Sequence, residues 1–397
     1  MIGLVPRDKW EHRFGDFIGA LGAAVGPAGP DQELIIPGLG RALPVRSGRV
    51  GLVAAMDALS LKPGARIGVP LFCCPVVFEA IMASGRTIRF IDVDPETFCL
   101  SPEDLAAKRS QVDAVLAVHM FGHMCDMGRL KDAAGGLPLI EDCAQALGST
   151  MNGRPAGSWG AIAFFSFRSG KYISAGEGGA LYSQDASVLE RAAQVIGRMP
   201  APSRANDVVH ATAVYLKSIL RSRPLYGLVG HSLWHAHAQR INPSEDRDIA
   251  LGRIFRADMR IIRKRLPSLD SAVESQRAHA AYFSESLKMN PGMFAEEKAG
   301  WFDNRYLYPI TLPSVEARDS MAARLFRRRI DTMKYLDGVA RIAADRFGYR
   351  GDCPVAEGLC QRVLVIPSYY GLRTGDIERI VEAVNSAWAD ITQAVAG

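Results

Sequence analysis

Two apolar runs of the 397-residue chain end in groups that could act on a carbonyl compound. The first closes in Ile140-Glu141-Asp142-Cys143-Ala144-Gln145. The second, Phe164-Phe165-Ser166-Phe167, leads into Arg168-Ser169-Gly170-Lys171 and on to Gly176-Glu177-Gly178-Gly179. A carboxylate just past a strand stands where open α/β sheets bind ligands. An amine in a Gly/Ser-flanked loop after another strand can attack a carbonyl. Together with the small residues around both, the combination suits pyridoxal phosphate. Lys171 would carry it as a Schiff base, Asp142 would keep the pyridine nitrogen protonated so that the ring acts as an electron sink, and Ser166 would hydrogen-bond the phosphate. Singly these residues have bland readings, since most lysines are solvated charges and Ser166 could merely end a strand. The order and spacing of the set single it out.

Positioning such a set needs a parallel sheet wrapped by helices, and the pattern from residue 45 onward is of that kind. Helices are read over 51–59 and 78–83, and strands over 66–72, 87–93, 114–119 and 137–140. Ser101-Pro102-Glu103-Asp104 announces another helix through an N-cap serine, a proline at the first helical position and a carboxylate three residues beyond the cap. Strands at 162–167 and 179–182 lie too close for a crossover helix, so an antiparallel member is expected there. A helical pattern over 249–287, broken at Pro267, precedes strand 306–312, helix 315–328, strand 362–366 and a terminal helix over 374–388. That order suggests a smaller α+β C-terminal domain. The expected organisation is a helix over 17–25 and a linker within 1–41, a large cofactor-binding domain over 42–196, an insert over 197–250, and the long helix with the small domain over 251–397.

Composition narrows the class. A chain of this length holds two or three domains or one large domain with a satellite, and 48% hydrophobic with 22% charged residues is ordinary for a globular protein. The net charge of +5 is thinly spread, which gives little case for nucleic acid. Seven cysteines without a C-x-x-C pair fit neither a disulfide framework nor a zinc ribbon, so a reducing cytoplasm is the simplest inference. No apolar stretch is long enough for a transmembrane helix. His231 and His235 stand four apart but lack a well-spaced carboxylate or cysteine, so no metal site is read there.

The motifs, taken together, resemble the DegT/DnrJ/EryC1/StrS family of PLP-dependent sugar aminotransferases. Its F-S-F-x-x-x-K followed by G-E-G-G is met by Phe165, Ser166, Phe167, Lys171 and Gly176-Glu177-Gly178-Gly179. Its E-D-x-A-Q/H is met by Glu141, Asp142, Ala144 and Gln145. Its early S-G-T phosphate turn appears as Ser47-Gly48-Arg49, its V-H-x-x-G-x-x-x-D-M as Val118-His119 through Gly122 to Asp126-Met127, and its P-V-A-E as Pro354-Val355-Ala356-Glu357. The resemblance runs from about Ala42 to Trp388. It implies an α/β chain of the type I PLP-dependent transferase (aspartate aminotransferase-like) fold, with a mostly parallel central sheet in a large domain and a smaller α+β C-terminal domain. It also implies Lys171 as the catalytic lysine and Asp142, Gln145, Ser166, Gly48 and Arg49 as cofactor-binding residues. Gln145 would sit near the 3′-oxygen, and Gly48 would let backbone N–H groups meet the phosphate at a helix N-terminus.

The activity so implied is transfer of an amino group from an amino acid, glutamate or glutamine, to a keto-sugar, often nucleotide-linked, by a homodimer. Arg49 replaces the usual threonine, Cys74 stands where an aromatic residue commonly stacks on the ring, and the G-x-N-x-R-M segment is not recognisable, with Asn242 only near its place. These departures leave a second reading, a catalytically decayed regulatory or scaffolding homologue. In the insert, Lys217, Arg221 and Arg223 accompany Leu216, Ile219 and Leu220. Burial of that apolar face over the active-site mouth or against a partner chain is favoured over peripheral contact with a membrane.

Overall fold

The computed structural model describes residues 3–10, 12–27, 33–223, 225–232, 249–290, 292–294 and 296–396. His235 and Asn242 lie outside them. In chain order the strands are β1 (Leu34–Ile36), β2 (Gly40–Val45), β3 (Arg66–Pro70), β4 (Thr87–Ile91), β5 (Ala114–Val118), β6 (Leu139–Asp142), β7 (Thr150–Met151), β8 (Arg154–Pro155), β9 (Ile162–Ser166), β10 (Gly179–Tyr182), β11 (Trp301–Phe302), β12 (Tyr308–Thr311), β13 (Met333–Lys334) and β14 (Val363–Ile366).

Eight of them form one sheet in the order β1-β2-β10-β9-β6-β5-β3-β4. The run from β9 to β4 is parallel throughout, and β10, β2 and β1 continue it antiparallel. The parallel strands are apolar without alternation because helices cover both faces. All five residues of β5 are buried, and so are all four of β6, Glu141 and Asp142 included. Being parallel, β3, β5, β6 and β9 deliver their carboxyl ends to the same edge, where the candidate residues emerge.

The antiparallel member expected at 179–182 is β10, paired with β9 from Gly179↔Ser166 to Tyr182↔Ala163. The sequence placed 34–41 in a linker, whereas β1 and β2 form a hairpin whose second strand pairs with β10. β2 carries Pro44 and shows no alternation, and its pairing is decided by β10, far away in sequence. The Phe14–Val25 helix starts earlier than the apolar run suggests because the Asp16 carboxylate accepts from the Arg13 N–H at 3.1 Å. The C-terminal strands form a separate antiparallel sheet, β12-β14-β13, over a second core that includes Ile310, Met321, Leu325, Ile366 and Ile380.

The insert holds the Arg204–Arg221 helix, capped by Ser203, and a π-helical turn over Tyr226–Gly230. Its side chains divide within the single chain. Leu216 and Leu220 are exposed, while the proposed cationic band is split. Arg221 is buried against Asp8, and Arg223 Nη1 reaches Asp376 Oδ2 at 2.8 Å, leaving Lys217 outward. No helix of the described residues is long and apolar enough to cross a membrane.

Candidate active site

Asp142 is the last residue of β6 and Ser166 the last of β9. Lys171 follows in a tight loop, its N–H bonded to the Arg168 carbonyl at 3.0 Å. The loop is closed at its base by Ala175 N–H to Phe167 O (2.8 Å) and Ser169 N–H to Gly176 O (3.1 Å). Gly170, at φ +91°, makes the reversal that L side chains resist. A Cβ there would also press to 3.3 Å from both Asp8 Oδ2 and Trp10 Nε1, so the N-terminal segment packs directly on the loop.

The third component comes from the start of the Gly48–Ala58 helix. Ser47 caps it by accepting from the Val50 N–H at 3.3 Å. A Cβ on Gly48 would lie 3.3 Å from Ser166 Cβ and 3.5 Å from the Phe164 ring, so only a glycine lets the helix N-terminus settle against the end of β9 unstrained. The turn and Ser166, remote in sequence, are thereby brought together.

Electrostatics single out the same groups. Burial pushes the Lys171 amine down to about 8, and Arg168 adds to the effect while Asp142 opposes it. At pH 7 that makes roughly 300-fold more neutral, nucleophilic amine than an ordinary lysine offers. Burial also pushes the Asp142 carboxyl up, against the Ala144 N–H that Oδ1 accepts at 2.9 Å. Among the described residues, Asp142 Oδ2, Lys171 Nζ, the Ser166 hydroxyl and the Arg49 guanidinium have no hydrogen-bond partner. Gln145 differs. Its Oε1 accepts from the Phe121 N–H (3.1 Å) and its Nε2 faces Tyr335 Oη (3.0 Å) and Met120 Sδ (3.3 Å).

Beneath Asp142, Glu141 is fully buried and anchored. Its oxygens accept N–H groups of Gly160 (2.5 Å), Trp159 (2.7 Å) and Gly157 (2.8 Å), and His119 Nε2 donates at 3.1 Å. His119 Nδ1 accepts from the Cys125 N–H, which places the ring proton on Nε2. Burial alone would raise the Glu141 carboxyl, but these donors hold it below its ordinary value. His119, Glu141 and Cys143 have ligand atoms within 4.8 Å of one another, yet both ring nitrogens and both carboxylate oxygens are engaged, so the cluster is a brace for the end of β6. Glu141→Ala, which orphans three backbone N–H groups and the buried His119 Nε2–H, is expected to lower the unfolding free energy by roughly 3–5 kcal/mol. Denaturant titration followed by circular dichroism checks it, and a loss below about 1 kcal/mol would mean water replaces the carboxylate.

The structure adds aromatic residues that sequence reasoning missed. Lys171 Nζ lies 4.6 Å from the centre of the Tyr306 ring, and the Tyr306 hydroxyl donates to the Gly170 carbonyl at 3.0 Å. Tyr172 and Tyr370 complete that side of the pocket. Their only signal in the sequence was Tyr306 at the head of a strand candidate. Phe72 is buried among Phe98, Phe121 and Tyr335, whereas Cys74 is exposed at the start of the Pro75–Ala83 helix. Of the two, only Cys74 is exposed, and it lies near enough to Lys171 to act on the amine electrostatically.

An open α/β sheet with a lysine loop, a strand-end carboxylate and a glycine-cradled helix N-terminus at one edge defines a cofactor-dependent transferase of the type I fold. The DegT/DnrJ/EryC1/StrS aminotransferase family matches residues 37–213 and 251–385, and the chain belongs to that family. It is a PLP-dependent sugar aminotransferase. The match passes over 214–250.

Among curated relatives, the UDP-N-acetyl-3-dehydro-α-D-glucosamine 3-aminotransferase of Acidithiobacillus ferrooxidans is 28% identical over 88% of this chain and 85% of its own length. The GDP-perosamine synthase of Escherichia coli O157:H7 is 26% identical over 87% and 85%. The L-glutamine:scyllo-inosose aminotransferase of Streptomyces griseus is 37% identical, but over only 38% and 36%. The solved sugar aminotransferase CalS13 from Micromonospora echinospora shares the fold, with a TM-score of 0.73, 23% identity and coverage of 97% and 100%.

Proposed function

We propose that the protein transfers an amino group from glutamate or glutamine to a keto-sugar carried on a nucleotide, acting as a homodimer. The carrying observation is that three polar groups at one sheet edge, Lys171 Nζ, Asp142 Oδ2 and Ser166 Oγ, are left without hydrogen-bond partners among the described residues, beside the Gly48 turn. That donor set fits pyridoxal phosphate. Ser166, Arg49 and the N–H groups at Gly48 would hold the phosphate, and Asp142 would face the ring nitrogen.

When bound, the cofactor supplies an aldehyde for amines and a ring that takes up an electron pair. Asp142 Oδ2 keeps the proton on the ring nitrogen. Lys171 Nζ, in large part neutral near pH 8, takes a proton from carbon on one side and returns it on the other. Gln145, whose Met120 contact is its weakest, would be the residue to meet the 3′-oxygen, while its other bonds hold Phe121 and Tyr335 in place.

The nucleotide carrier is favoured because two relatives matched across most of their length are named for UDP- and GDP-sugars, whereas the scyllo-inosose enzyme matches over about a third. Incubation with glutamate or glutamine, then with nucleotide-linked and free keto-sugars under mass detection, tests it. An amine product from a nucleotide-linked ketone is expected. Turnover of free keto-sugars or inososes alone would overturn the carrier assignment.

A further inference from the structure

Eight of the thirteen large apolar side chains exposed among the described residues sit on three short neighbouring segments. They are Phe14, Ile18 and Val25 on the Phe14–Val25 helix, Val209, Leu216 and Leu220 on the Arg204–Arg221 helix, and Leu228 and Val229 in the π-helical turn, all between 41% and 68% exposed. The helical residues are spaced by four and seven, so each helix presents one apolar stripe outward. Tyr215 joins the two helices, stacked on Phe17 at 4.5 Å and 6.3 Å from Phe14, which sets the stripes side by side.

Charge is segregated around this platform. The Arg256–Arg265 helix lies along the other flank of the Phe14–Val25 helix, with Lys264 Nζ 2.5 Å from Asp16 Oδ1. On these three helices every acidic residue, Asp16, Asp207 and Asp258, is buried and paired with a basic partner. Every exposed charged residue on them is basic: Arg204, Lys217, Arg260, Arg263 and Lys264, the last of these paired with Asp16. The solvent side of the Phe14–Val25 helix carries no charge at all, since Phe14, Gly15, Ile18, Gly22 and Val25 make it up.

We propose that this face docks the enzyme on the surface of an anionic lipid bilayer. An apolar ridge bordered by exposed basic residues, with the exposed Glu33 beside Arg263 as the acidic exception, is the pattern of helices that lie in the headgroup layer, and no helix among the described residues is long and apolar enough to span it. A second copy is the poorer occupant. A two-fold contact through this face would set the basic border of one chain against that of the other.

The test uses the full-length holoenzyme and vesicles of phosphatidylcholine with or without phosphatidylserine. Co-sedimentation with the anionic vesicles is expected, at least tenfold weaker on phosphatidylcholine alone and in raised salt. Ile18→Asp with Leu216→Asp, and separately Lys217→Glu with Arg260→Glu, should each weaken it at least tenfold. The light-scattering mass and visible cofactor absorption should not change, because all four residues lie on the surface. Protein left in the supernatant, equal binding to both vesicles, or binding unaffected by the variants would overturn the proposal. A changed light-scattering mass in either double variant would also overturn it, by assigning the face to a subunit contact.

Discussion

Lys171→Ala is expected to cut turnover by at least about 10⁴-fold while leaving the circular dichroism spectrum and oligomer mass unchanged. The residue sits in a loop over the Tyr306 ring and makes no side-chain hydrogen bond among the described residues, so its removal takes away the nucleophile and the proton carrier but little packing. Two readouts separate this from a structural effect. Borohydride reduction of the wild-type holoenzyme should fix the cofactor to Lys171, as peptide mapping would show. In the variant, added small primary amines should restore part of the rate. Reduction that labels a different lysine would dismiss the assignment.

The depressed Lys171 value makes a further pH statement about the apoprotein. Its folded-state value, about 8, lies below the ordinary 10.5, so between these limits the unfolded chain binds the proton and the folded one does not. Stability therefore falls as pH drops from about 10.5 to about 8 and shows no further pH dependence from this group below that, where the full cost of burying the charged amine remains. Replacing lysine by the uncharged, unbranched chain one atom shorter, Lys171→Met, should raise apoprotein stability at neutral pH and leave it nearly unchanged well above pH 10.5. Equal effects at both ends would show that the amine is solvated in the folded state.

Asp142→Asn is expected to retain cofactor but lose about 10²–10³-fold in kcat. An amide of the same shape keeps an acceptor for the Ala144 N–H, now 2.9 Å from Oδ1, yet cannot hold a proton on the ring nitrogen. Because the phosphate groups are untouched, the absorption of bound cofactor should persist, with its pH dependence altered. A rate near that of the wild type would reduce Asp142 to a cap on the end of β6.

Asp142 and Lys171 were legible in the sequence because each is set by its immediate neighbours. An apolar run that turns acidic marks the carboxyl end of a buried strand, although β6 itself continues through Glu141 to Asp142, and a glycine after Ser169 marks where the chain can turn. The helix start at Ser101-Pro102 and the antiparallel partner at 179–182 were legible for the same reason, since a cap or a connection too short for a crossover is a local constraint.

The remaining features belong to tertiary structure. Gly48 is fitted to Ser166 because two distant segments approach so closely that a Cβ on Gly48 would lie 3.3 Å from Ser166 Cβ. Tyr306 lies over Lys171 because the chain returns to the loop after the Leu269–Ser286 helix. The 34–45 hairpin exists because β10 offers an edge. The insert makes the point most sharply. Its basic residues looked alike in sequence, yet Arg221 turned inward to Asp8 and Lys217 outward to solvent. A helix sequence fixes the angle between two side chains, but which of them is buried depends on where the packed partners lie, and burying a guanidinium is tolerable only where a carboxylate from elsewhere in the chain arrives to meet it.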